Sequence, residues 1–197
     1  MHKIKAEFGE KAQYLVRNYN DNTIRFLVSY EGIVNGDILK EAVRYVVESI
    51  DILHSSFYVS SNKAYWIENS DLDIEAYYKT YKVDDIKNAI TDIEKVFVEA
   101  INHNSQNQIK CTLFRDDKES VVIVNMSHLC VDGGDGRYLL LKIIETYNAL
   151  NNEEKLDSVE IKQGSRAFEQ VFNKFSKKDW KAFSKMPKKK DKTDIKS

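Results

Sequence analysis

Cysteine, proline and glycine are all scarce in this chain. Its 197 residues include two cysteines, one proline and seven glycines. Cys111 and Cys130 form no CxxC pair and supply no disulfide framework, so a reducing cytoplasm is the expected setting. The lone proline, Pro187, sits in the C-terminal tail and helps end a helix there. No window approaches the roughly 18 consecutive apolar residues of a membrane span. Met1–Glu7 has no apolar core, so no signal peptide is expected. There is no internal repeat. What remains is an ordinary globular composition: 42% hydrophobic, with 11 Tyr and 9 Phe, which argues against disorder. A chain of this length buries roughly 70% of its extended surface on folding, enough for a real core.

The net charge of −1 conceals an asymmetry. Residues 174–197 carry ten Lys against Asp179, Asp191 and Asp194, a sum of +7, and the first 173 residues therefore carry −8. Such a tail could contact nucleic acid or a membrane surface. The simpler reading is a solvated helix end running into a linker, with no nucleic-acid partner.

Hydrophobic periodicity gives a coarse map. Ile24–Glu31 has strand composition. Asn35 or Asp37 caps a helix in which Ile38, Leu39, Ala42, Val43, Val46, Val47 and Ile50 recur at helical spacing. Ser56–Val59 and Ala64–Glu68 read as a hairpin, and Asp84–Asn102 as one long helix through Ile86, Ile90, Ile93, Phe97 and Ile101. Ile109–Arg115 and Ser120–Met126 form a second hairpin. Arg137–Leu150 is a helix apolar almost all round at Leu139, Leu140, Leu141, Ile143 and Ile144, so burial on several sides is expected. Ser165–Met186 reads as a final amphipathic helix or helix pair, with Phe168, Phe172 and Phe175 in its core face. Hairpins without regular βαβ units indicate an α/β or α+β fold, a mixed β-sheet with helices packed on it.

One stretch stands apart. The β-branched run Val121-Val122-Ile123-Val124 leads into Ser127-His128-Leu129-Cys130-Val131-Asp132-Gly133, where Gly133, Gly134 and Gly136 gather three of the seven glycines. A strand that ends in a histidine and a Gly-rich turn presents an imidazole at a sheet edge. Metal binding by His128, Cys130 and Asp132 lacks further ligands in the local sequence, so no metal is expected. Cys130 as a thiol nucleophile lacks an orienting group, and reads more simply as a small apolar filler. Tyr77, Tyr78 and Tyr81 could line a ligand channel, though surface or half-buried aromatics is the simpler reading. His2 and His103 have no visible role.

His128-Leu129-Cys130-Val131-Asp132-Gly133 matches the HxxxDG signature and resembles the condensation-domain and CoA-dependent acyltransferase superfamily, whose fold is that of chloramphenicol acetyltransferase. The surroundings agree: a hairpin strand before the motif, and a Leu-rich helix after it ending in Glu145-Thr146-Tyr147. Asp51-Ile52-Leu53-His54-Ser55-Ser56-Phe57 resembles the family's LR-x-x-F segment, and Ala12-Gln13 faintly echoes its N-terminal Ala-Gln motif. The resemblance covers about residues 10–150. It implies the N-terminal half of a two-lobed protein with its active site in a tunnel between lobes. Residues 1–186 would form the lobe and 187–197 a Lys-rich linker or tail. A missing C-terminal lobe or a second subunit is then expected as partner, and the isolated lobe is expected to be inactive.

The resemblance also implies roles. His128 would be the general base, since an unperturbed imidazole has a pKa near 6.5. Asp132 would shape the turn through an ion pair, and Gly133 would let the backbone turn without a Cβ clash. Two positions depart from the family pattern. Ser127 replaces the first histidine of HHxxxDG, and could serve as an oxyanion donor. His54 replaces the arginine expected to pair with the motif aspartate, so Asp132 would pair with protonated His54, with Arg137 or with another Arg. The implied reaction moves an acyl group from a thioester, on CoA or a carrier protein, to a hydroxyl or amine of a small-molecule acceptor. No cofactor would be bound permanently; the thioester is a co-substrate. The alternative is a non-catalytic binding or scaffold module that keeps the fold.

Overall fold

The computed structural model describes residues 2–60, 63–156, 159–162 and 176. The chain divides into two compact units, 1–164 and 165–197. All the described helices and strands belong to the first unit. The helix expected over Ser165–Met186 and the boundary at 187 lie outside the described residues.

The elements run β1 (Lys3–Lys5), α1 (Phe8–Leu15), β2 (Thr23–Tyr30), α2 (Gly36–Glu48), a 3-10 helix (Asp51–His54), β3 (Ser55–Ser60), β4 (Lys63–Glu68), a short 3-10 turn (Ile74–Ala76), β5 (Tyr78–Lys82), α3 (Ile90–Phe97), β6 (Ile109–Arg115), β7 (Ser120–Ser127) and α4 (Gly133–Asn151). They build two sheets. A small antiparallel one has the order β1-β4-β3, and the main one β2-β7-β6-β5, with β5 parallel to β6 and the other pairs antiparallel. The expected mixed sheet with packed helices is therefore present, accompanied by a second sheet.

Side-chain alternation along β7 sorts the helices onto two faces. Val122, Val124 and Met126 join the cluster formed with Leu39, Val43, Val46 and Val47 of α2 and with Leu139 and Ile143 of α4. Val121 and Ile123 point the other way, to Ile86, Ala89, Ile93 and Phe114. The β3–β4 hairpin adds Phe57 and Trp66, both fully buried, with ring centroids 4.7 Å apart. Trp66 Nε1 donates to Glu10 Oε2 (3.0 Å), which anchors α1 to the small sheet.

Asn35 is the cap of α2, its side chain accepting from Asp37 N (3.0 Å) and Ile38 N (3.3 Å). Two expectations need correction. The long helix over Asp84–Asn102 is only the eight residues of α3. Its front is a series of turns, held where the Asp116 carboxylate accepts the Ile86 N–H (3.1 Å). Backbone N–H groups of Glu119, Lys118 and Ile86 on that carboxylate hold it below the usual aspartate range. Behind α3, Asn125 Nδ2 takes the carbonyls of Val96 (2.8 Å) and Glu99 (3.2 Å). Asp116, in the turn between β6 and β7, and Asn125 of β7 thus bond the backbone on either side of α3. Second, α4 is not buried all round: Leu139 and Ile143 are, but Leu141 is 50% exposed and Ile144 40%. Tyr77 and Tyr78 are buried rather than superficial, and only Tyr81, stacked on Phe114, is exposed.

Replacing Asn125 by Ala removes the side-chain donor to the Val96 and Glu99 carbonyls behind α3. Urea unfolding is expected to show a loss of about 1 kcal/mol with the denaturant slope unchanged.

Candidate active site

The motif turn grows from β7, an interior strand paired along its length with β2 and β6. At its end the Ser127 N–H donates to the Gln108 carbonyl (2.8 Å) and the His128 N–H to the Asn22 carbonyl (2.8 Å). The Ser127 carbonyl then receives the N–H groups of Cys130 (3.2 Å) and Val131 (3.3 Å), closing the turn. Leu129 and Val131 are buried beneath it. Gln108 is itself fully buried, its amide donating to the carbonyls of Ser55, His103 and Ser105. This brace was not foreseen from sequence. A glutamine between Asn107 and Ile109 carries no periodic signal, and only tertiary structure shows its burial.

His128 is half-buried, with Nδ1 3.0 Å from the Val131 carbonyl oxygen. A carbonyl only accepts, so Nδ1 carries the proton, and in the neutral ring Nε2 holds the lone pair. That is the tautomer a general base needs.

Asp132 is the N-cap of α4. Its Oδ1 accepts the N–H of Gly134 (2.7 Å) and Asp135 (2.9 Å), while Asp135 Oδ2 accepts the Asp132 N–H (3.2 Å) in a capping box. The expected ion pair is absent among the described residues: Asp132 pairs with neither His54 nor Arg137. The physical reason is exposure. Asp132 lies on the surface, so its charge needs no counter-ion, and the helix N-terminus already favours it.

The other candidates also have definite places. Gly133 is the first helical residue; a Cβ there would meet nothing within 4 Å, and its φ is not in the left-handed region. The expected steric need for glycine therefore falls elsewhere, on Gly136, where a Cβ would sit 3.1 Å from Phe26 Cε2. Ser127 is buried, and its Oγ accepts from Leu129 N (3.4 Å). Arg137 is exposed on α4. His54 is buried at the end of its 3-10 helix, with Nδ1 3.3 Å from the Asn69 carbonyl. Cys130 Sγ donates to the Ser127 carbonyl (3.2 Å), and burial pushes the Cys111 thiol up to about 12, so neither is poised as a nucleophile. The motif thus brings together His128, Asp132, Gly133 and Ser127, and leaves His54 and Arg137 unbonded to them.

No family model matches the sequence, and no curated protein matches it. Solved structures do match. The first condensation domain of the calcium-dependent antibiotic synthetase, in complex with a substrate analogue, superposes with TM-score 0.72 at 12% identity, over 89% of this chain and 44% of that one. The starter condensation domain of the rhizomide synthetase RzmA gives 0.67 at 13% identity, over 88% and 43%. A variant of that domain in complex with C8-CoA gives 0.70 at 13% identity, over 87% and 40%. The chain has the condensation-domain fold, as its motif and the order of its elements led one to expect. It spans less than half the length of the condensation domains it matches.

The cap role of Asp132 separates from an ion-pair role by substitution. Asp132→Ala is expected to cost about 1 kcal/mol in chemical unfolding, whereas Asp132→Asn, an equally good cap, should cost little. An ion pair would make the two substitutions equally damaging.

Proposed function

We propose that this chain is the first lobe of an acyltransferase that moves an acyl group from a thioester to a hydroxyl or amine, with His128 as general base. The observation that carries the reading is the Nδ1 contact of His128 with the Val131 carbonyl, which leaves the Nε2 lone pair as the base. The same contact is made inside the turn that Asp132 caps, so the cap acts as a positioning device for the ring.

In the proposed reaction His128 Nε2 removes the proton of the acceptor as its oxygen or nitrogen attacks the thioester carbonyl carbon. The tetrahedral intermediate collapses, the carbon–sulfur bond breaks, and the imidazolium returns the proton to the leaving thiolate. A thioester is already activated, so a positioned base supplying about 10²–10⁴-fold is a sufficient contribution from this lobe. An oxyanion donor is still required. The amides of Gly134 and Asp135 are consumed by the cap and Ser127 is buried, which favours a donor on the opposing lobe or subunit. The open space around Gly133 suits the approach of substrate or of that lobe.

The fold likeness supports the class of reaction, and the C8-CoA complex of a fold neighbour supports an acyl-CoA co-substrate over a permanent cofactor. A carrier-protein thioester fits the same chemistry. Coverage of 40–45% of the matched domains supports a missing second lobe, or a second subunit in its place. Among the described residues no helix is long and apolar enough to cross a membrane. A cytoplasmic setting accords with two unbridged cysteines.

A second reading, a scaffold module that keeps the fold without the reaction, is favoured by one observation: capping alone explains Asp132. The two readings part in a thioester-consumption assay on the protein with its second lobe, using acetyl-CoA or a carrier-bound acyl group with alcohols and amines. His128→Ala is expected to lower the rate by about 10²–10⁴-fold. Equal rates would leave the scaffold reading.

A further inference from the structure

His54 stands where the family pattern has an arginine, yet it neither reaches the motif nor is left to solvent. It closes the 3-10 helix Asp51–His54, and side chains three apart on such a helix eclipse, so Asp51 and His54 share a face. The ladder register places Glu68, the last residue of β4, opposite Ser55, the residue after His54. One ring nitrogen of His54 and one carboxylate oxygen each from Asp51 and Glu68 lie within 4.8 Å of one another.

The ring is held in a fixed tautomer. The Asn69 N–H and the Asn69 amide both donate to the His54 carbonyl (3.1 and 2.7 Å), and His54 Nδ1 faces the Asn69 carbonyl at 3.3 Å. Nδ1 must donate there, which leaves the lone pair on Nε2. That atom is buried, in a residue only 8% exposed, and has no hydrogen-bond partner. A cation ligated by Nε2 would satisfy it, with carboxylate oxygens of Asp51 and Glu68 close to the ring.

We propose that Asp51, His54 and Glu68 form a binding site for a divalent transition-metal ion of the Zn²⁺ class. A neutral imidazole whose other nitrogen is bonded to a backbone carbonyl is the usual state of a metal-ligating histidine. One nitrogen with two carboxylates selects Zn²⁺ over Mg²⁺ or Ca²⁺, which prefer all-oxygen sets. Ligands about 2.1 Å from a tetrahedral ion lie about 3.4 Å from one another, so the cluster needs to contract by little more than 1 Å at most. Glu68 is also in contact with His2, whose Nδ1 is 3.2 Å from Glu68 Oε2 and whose carbonyl accepts the Glu68 N–H (3.2 Å). Glu68 also lines an open polar depression of about 800 Å³ with His2, Asp71 and Asp73. The bound ion would staple β4 to the 3-10 helix that follows α2. This site is independent of the His128 chemistry.

The test is calorimetric titration of Zn²⁺ into chelator-stripped protein, with Co²⁺ as a spectroscopic probe. Saturable uptake of one equivalent is expected, with the visible absorption of tetrahedral Co²⁺ and no competition from Mg²⁺. Asp51→Asn and Glu68→Gln, which keep side-chain shape, should each weaken binding at least 10-fold, and His54→Gln should do the same. Absence of saturable uptake overturns the proposal. So does uptake that Asp51→Asn and Glu68→Gln leave unchanged, because the ion then sits elsewhere. Should His54→Gln fail to fold, the two carboxylate variants decide the matter alone.

Discussion

Burial of β7 on both faces is the constraint on which the rest of the structure depends. Val122, Val124 and Met126 are covered by α2 and α4, while Val121 and Ile123 are covered by the α3 side. A one-residue slip in its pairing would exchange the two sets and turn Asn125 into the wrong layer, so the register with β2 and β6 is strongly specified. Asn125 shows what that register achieves. From the α3 face it takes the Val96 and Glu99 carbonyls and so ends α3. At the strand end the same register delivers Ser127 to the Gln108 carbonyl and His128 to the Asn22 carbonyl, and from there the turn has little freedom.

Elements with strong internal periodicity were legible in the sequence. The α2 helix announces itself through the Asn35 cap and the spacing of Leu39, Ala42, Val43, Val46 and Val47, all of which are buried. Both hairpins have strand composition around a short polar turn, and their pairings agree with expectation. Two of the edge strands, β1 and β5, were not legible. Lys3–Lys5 and Tyr78–Lys82 carry lysines that blunt an exposed edge, and such side chains hide a strand from a hydrophobicity pattern. The short α1 was missed because its apolar residues are largely exposed and its anchor is a carboxylate, Glu10, bonded to Trp66. The over-long helix at 84–102 has the opposite cause: a good helical period was overridden by Asp116 and Asn125, polar groups distant in sequence.

The motif illustrates how a recognisable pattern leaves local physics open. Asp and Gly after the histidine read equally well as an ion-paired aspartate with a strained glycine and as a helix cap with an unstrained start. The structure has the second arrangement. The glycine that packs closely is Gly136 against Phe26, the fourth residue of α4, directly after the capping box and outside the signature. Distance between elements decided this, and no single-chain pattern encodes it.

The histidine that stands where the resembled family has an arginine then takes on a different weight. An Asp–Arg pair would hold the turn by charge. Here the Asp132 cap, the capping box with Asp135 and the Gln108 brace hold it by backbone hydrogen bonds. A surface ion pair contributes about 0–1 kcal/mol and an N-cap about 1 kcal/mol, so the exchange need cost the turn nothing. The Nδ1 contact to Val131 depends on the turn and not on any arginine. His54 instead has a ring nitrogen within 4.8 Å of carboxylate oxygens of Asp51 and Glu68. Its buried Nε2 lone pair would be a standing cost to the fold if nothing met it there, which is the argument for an ion at that position rather than for a vestige of the motif.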